Sequence, residues 1–92
     1  MAWGYTVRGR IVDIKGHCSW GHKVGEEFDI DTRETAHLCG WFYHAIFPVL
    51  NMLEFGGGFP GLEGEDRDVV QFGCPDYRNV VTIELRRVMP KE

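Results

Sequence analysis

The feature that most constrains this chain is an apolar periodicity running from about Arg33 to about Leu53. Leu38, Trp41, Phe42, Ala45, Val49, Met52 and Leu53 recur at steps of three and four, which puts them on one wide face of an α-helix. Asp31-Thr32-Arg33-Glu34 supplies a start signal, because Asp31 can accept from free backbone N–H groups while Glu34 reaches back. Pro48 falls inside the stretch and removes one donor, so a kink, or an end and restart, is expected there, freeing the carbonyl of His44. Phe55-Gly56-Gly57-Gly58-Phe59-Pro60-Gly61 then stops the helix. A face this wide has to be laid on something, and 92 residues leave room for one core, so 1–92 is a single domain.

The partner surface comes from strands. From Tyr5 to Lys15, residues Tyr5, Val7, Gly9 and Ile11 alternate with Thr6, Arg8 and Arg10 at the period of two of a half-buried strand. The phase slips at Ile11-Val12, and a bulge at Gly9 or Arg10 is expected to re-aim the strand. Lys23 to Ile30 places Val24, Glu26, Phe28 and Ile30 on one face and reads as a short edge strand. Asp68 to Gly73 and Asn79 to Val88 read as a hairpin around Cys74-Pro75-Asp76-Tyr77-Arg78, with Val81, Ile83 and Leu85 on one side of the last strand. The expected fold is α+β: a small antiparallel sheet in β-β-α-β-β order, with one long, Pro-kinked helix packed on a face.

Charge and cysteine count narrow the function classes. A formal net charge of −4 argues against a non-specific nucleic-acid binder, which needs a basic face to displace counterions. No apolar run approaches the roughly 20 residues that span a bilayer, and Met1 to Tyr5 has no signal-peptide pattern. Three cysteines cannot all pair within one chain, so a cytoplasmic protein with free or metal-bound thiols is expected. Gly56-Gly57-Gly58 lacks the lysine and hydroxyl of a phosphate-cradling loop. The generous aromatic content suits a pocket or a homo-oligomeric interface as well as a core.

Candidate chemistry gathers around Gly16-His17-Cys18-Ser19-Trp20-Gly21-His22-Lys23-Val24-Gly25, a mixture that neither strand nor helix propensity calls for. Cys18, His22, Cys74 and Cys39 are the candidate metal ligands, and thiolate with imidazole suits zinc or iron better than magnesium or calcium. Their spacing matches no zinc-finger pattern, and a buried, merely apolar role is the competing account, above all for Cys39. His37 and His44, with Asn51, fall on one helical strip beside Trp41: either a solvated flank or one wall of a ligand pocket that His44, His37, Trp20 and Trp41 would line. Asp76 follows Cys74 by two residues and could orient an imidazole in a Cys/His pair.

The stretch Lys15 to Gly25 resembles a Lys-Gly-x-Cys-x-x-Gly-His-x-x-Gly motif of a family of small, uncharacterised prokaryotic proteins of about this length. The resemblance extends to Cys39 before a helix with an internal proline (Pro48), to Cys74-Pro75-Asp76, and to the closing strand Val81 to Val88. Ser19 and Gly40 stand where proline often follows the first two cysteines in that family. The resemblance implies that the three cysteines and His22 act as a group; it implies no substrate. Three functions follow as expectations: a binder of a transition metal or small ligand, a small enzyme with a Cys thiolate and a His base, or a non-catalytic accessory or oligomeric module.

Overall fold

A computed structural model describes residues 4–18, 20–36, 38–61 and 63–88. Its strands are β1 (Thr6–Ile14), β2 (Glu27–Ile30), β3 (Val69–Gly73) and β4 (Val81–Val88), wholly antiparallel in the spatial order β2-β1-β4-β3. The two central strands are thus the first and last in the chain, so the sheet is closed by its most distant pairing. One helix, α1 (Gly40–Glu54), packs on it, and a 3₁₀ turn (Gly64–Asp68) stands between α1 and β3, a departure from the plain β-β-α-β-β order. The α+β class and the antiparallel sheet with one helix are as the sequence implied.

Alternation sorts the sheet into two faces. Val7, Gly9 and Ile11 of β1, Phe28 and Ile30 of β2, and Val81, Ile83 and Leu85 of β4 turn toward the helix and are buried. Arg8, Arg10, Glu27, Asp29 and Arg86 stay in water on the other face, where Arg8 Nε donates to Asp29 Oδ1 at 3.0 Å. This is the usual economy of an antiparallel sheet covered on one side. Gly9 belongs to the core face because nothing larger fits: a Cβ there would lie 2.8 Å from the Cδ1 atoms of both Ile30 and Ile83. The bulge falls at Val12, between the pairs Ile11–Ile83 and Asp13–Thr82, and not at Gly9 or Arg10. The phase slip at Ile11-Val12 marked its position.

The helix differs from expectation in its start and its buried face, and one of the two outcomes expected at Pro48 does not occur. It begins at Gly40, because the Asp31–Glu34 signal caps a turn: Asp31 Oδ1 accepts from the Arg33 N–H at 2.7 Å, and Asp31 and Glu34 exchange backbone bonds. Ala36 then takes a φ of 54°, a left-handed conformation that no continuing helix permits. The buried side is Phe42, Ile46, Leu50 and Leu53, turned about one residue from the expected face, and Trp41 is left 59% exposed. Finally, the helix neither ends nor restarts at Pro48, an exposed position. β2 is an edge strand as read, but it starts at Glu27, and Val24 is exposed outside it.

Two charged side chains inside the core tie the helix end to the sheet. Glu54 is 1% exposed; its Oε1 accepts from the Thr32 N–H at 2.8 Å and its carbonyl from the Tyr5 N–H. Arg87 continues the inward phase of β4. It donates through Nη1 to the carbonyls of Leu53 (3.1 Å) and Gly57 (2.8 Å) and through Nε and Nη2 to Asp68 Oδ1 (2.9 and 2.6 Å). A guanidinium at a helix C-terminus meets both the unpaired carbonyls and the negative end of the helix dipole. Because truncation would strand these acceptors, Arg87→Ala should destabilise the fold by about 3 kcal/mol in urea unfolding. Gly9→Val should cost about 2 kcal/mol by overpacking. Loss of less than about 0.5 kcal/mol in either would contradict these packing roles.

Candidate functional site

Three segments meet at the end of the sheet where α1 starts. The first is the loop from Lys15 to Glu26, which leaves β1 just beyond its bulge. The Lys15 N–H donates to Val80 O at 2.8 Å and the His17 N–H to Asn79 Oδ1 at 2.9 Å, so the loop is bound to the approach of β4. Gly16 makes this possible: its φ is 88°, and a Cβ there would collide with Asn79 Oδ1. Further on, the Gly25 N–H donates to Ile11 O and the Ile11 N–H to Glu26 O, which returns the loop to β1.

The second segment is the approach to α1, where Cys39 is the N-cap residue and its carbonyl accepts the first helical bond from the Tyr43 N–H. His22 connects the loop to it. The imidazole is buried (6% exposed), packs edge-on against Phe28 with ring centres 5.4 Å apart, and uses both nitrogens. Nε2 accepts from the Cys39 N–H at 3.3 Å and Nδ1 lies 2.8 Å from Glu26 Oε1. A backbone N–H can only donate, so Nε2 must hold a lone pair, and the neutral ring carries its proton on Nδ1 toward the carboxylate. Glu26 Oε1 also accepts from the Lys23 N–H.

The third segment joins β3 to β4. Asp76 organises it: Oδ1 accepts from the N–H groups of Arg78 (3.1 Å) and Asn79 (3.3 Å), and Oδ2 from Asn79 Nδ2. The Arg78 N–H first, then the Asn79 amide, hold the Asp76 carboxyl below the usual carboxylate range. Cys74 sits at the head of this turn. Its Sγ accepts from the Val81 N–H at 3.2 Å and donates toward Asn79 O at 3.5 Å, while its own N–H donates to Val81 O.

Together these segments enclose a cleft of about 100 Å³. Cys18 and Trp20 line it from the loop, Cys39 and Trp41 from the helix start, Cys74 and Pro75 from the hairpin, with His22, Phe42, Asp76, Asn79 and Val81 completing the wall. The structure therefore brings Cys18, Cys39, Cys74, His22, Trp20 and Trp41 to one place. All three thiols are free and partly exposed. His44 is not among them: it is exposed on α1 and borders a separate open depression with Gly40, Tyr43, Phe47 and Pro48. His37 lies outside the described residues.

The chemistry available differs from that expected. His22 has no lone pair left for an ion, so it is a strut between loop and helix in this arrangement. Asp76 is committed to its turn and does not orient an imidazole. Among the described residues, no three His, Cys, Asp or Glu side chains form a group that holds a metal ion in this conformation. Sequence reasoning missed Glu26, whose signal was its four-residue spacing from His22, and Asn79, foreshadowed by the turn-forming Asp76 three residues earlier. No protein-family model, curated protein or solved structure matches this chain.

The Asp76 turn makes a pH prediction. A carboxyl whose folded pKa is depressed adds stability above its unfolded pKa and loses it as pH falls through the folded value. The stability difference between the wild-type chain and Asp76→Ala should therefore be largest near pH 7 and shrink toward about pH 2 in paired thermal melts. A constant difference would show that the charge is not what holds the turn.

Proposed function

We propose that the protein is a small binding module that takes a thiophilic ligand, a soft metal ion first among the candidates, between Cys18, Cys39 and Cys74. The observation that supports this is the convergence of every cysteine in the chain, from three separate segments, on a single cleft. Packing alone does not ask for it, since a cysteine used as a small apolar filler can sit anywhere in the core. The Lys15 to Gly25 motif, which resembles that of a small prokaryotic family, gives the same grouping.

The choice of ion follows the donors. Sulfur suits zinc, iron in sulfur-rich sites and cuprous copper, and disfavours magnesium and calcium. For zinc or iron the three sulfurs would have to draw together from their present positions, and even then they are one short of the four ligands of a closed structural site, so either ion would keep an open position. The thiol-enzyme alternative has less support, because the imidazole at the cleft is already hydrogen-bonded on both sides.

The test is thiol counting on reduced, untagged protein before and after addition of zinc, ferrous and cuprous ions in turn, with elemental analysis of the desalted samples. At least one of these ions should bind at about one per chain and shield thiols from alkylation, with release on chelation. Three thiols that titrate identically with and without every ion would overturn the proposal.

A further inference from the structure

The three cleft cysteines are not equivalent. Cys74 Sγ is hydrogen-bonded in both senses, as acceptor from the Val81 N–H and as donor toward Asn79 O, which is the full complement of a neutral thiol. Cys18 Sγ and Cys39 Sγ make no hydrogen bond among the described residues. Cys74 Sγ is thus held by its own turn, while the sulfurs of Cys18 and Cys39 face the cleft without such ties.

The surroundings favour an ion of low charge and low coordination number. The oxygen and nitrogen donors at the cleft, Asp76, Asn79 and His22, are engaged in its framework, and the rest of the wall is Trp20, Trp41, Phe42, Pro75 and Val81. A divalent ion held by two thiolates would still lack ligands, and a hydrated one would sit against apolar side chains. A monovalent d¹⁰ ion is satisfied by two sulfurs, is weakly hydrated, and is attracted by indole faces.

From this we infer that Cys18 and Cys39 form a two-sulfur site for a soft monovalent cation, cuprous or silver, with Cys74 kept out of it by its two hydrogen bonds. In the binding step two S–H bonds break and two metal–sulfur bonds form; two protons pass to solvent and the ion keeps its oxidation state. The inference rests on the thiol cleft being a ligand site, and it adds the class of ion and the pair that holds it.

Silver ion is the practical probe, because it needs no reductant. Reduced full-length protein is titrated with silver ion, with Trp fluorescence and thiol alkylation mapped by mass spectrometry as readouts. In the unmutated chain, silver should protect Cys18 and Cys39 from alkylation at about one ion per chain. Cys18→Ser and Cys39→Ser should each weaken binding by more than about 100-fold, beyond what loss of a supporting partner costs. Cys74→Ser should change it by less than about tenfold. Protection of Cys74 in place of either partner, or a Cys74→Ser loss equal to the others, overturns the two-sulfur assignment. Zinc binding that shields all three thiols while silver does not would overturn it and leave the thiol-cleft reading standing; no binding of any soft ion would remove both. The mapping on the unmutated chain holds even if a serine variant fails to fold.

Discussion

The arrangement of the cleft depends on the bridge that runs from Glu26 through the His22 imidazole to the backbone N–H of Cys39. It joins the loop after β1 to the start of α1, and a second tie, from His17 and Lys15 to Asn79 and Val80, joins the same loop to the β3–β4 connection. These two ties act together with the loop's return to β1. Cys18 lies between them, so its position is set from both sides. Hydrogen bonds in a half-buried place such as this contribute modestly to net stability, about 1 kcal/mol each. Their larger effect is on geometry, since they fix where the loop lies, and breaking those of the buried His22 ring leaves a polar group unsatisfied.

Burying an imidazole as a strut has a chemical consequence. A histidine beside three cysteines suggests a ligand or a general base, yet both functions need a free nitrogen lone pair. Here the only lone pair is taken by a main-chain donor, and the proton faces a carboxylate. The ring is thus spent on architecture, and the chemistry left to the cleft is that of sulfur. On the proposed reading, indole walls and a small volume would favour something compact and weakly hydrated.

What the sequence disclosed and what it hid divide along physical lines. Strand alternation was legible to within a few residues, down to the slip at Ile11-Val12 that marks the bulge. Even Arg87 could have been placed inside, because it continues the phase of Val81, Ile83 and Leu85. The helix start was not legible, because Asp31 and Glu34 cap a turn as readily as a helix, and only the left-handed Ala36 separates the two outcomes. The helix face was misjudged by one residue, since Trp41 serves the cleft and Ile46 and Leu50 serve the core. The gathering of the cysteines was a suspicion from composition; their meeting depends on β1 pairing with β4 across most of the chain, which no local pattern encodes. The engagement of both His22 nitrogens is tertiary for the same reason.

The central claim is that His22 holds the cleft together and that sulfur alone meets the ligand. The most direct measurement is a long-range proton–nitrogen correlation NMR spectrum of the His22 side chain near neutral pH, recorded before and after addition of silver or zinc ion. The account predicts a proton on Nδ1, an unprotonated Nε2, and nitrogen shifts that stay essentially where they were when the ion is added. A proton on Nε2 in the ion-free protein, or a large shift of either nitrogen on adding the ion, would contradict it and make His22 a ligand.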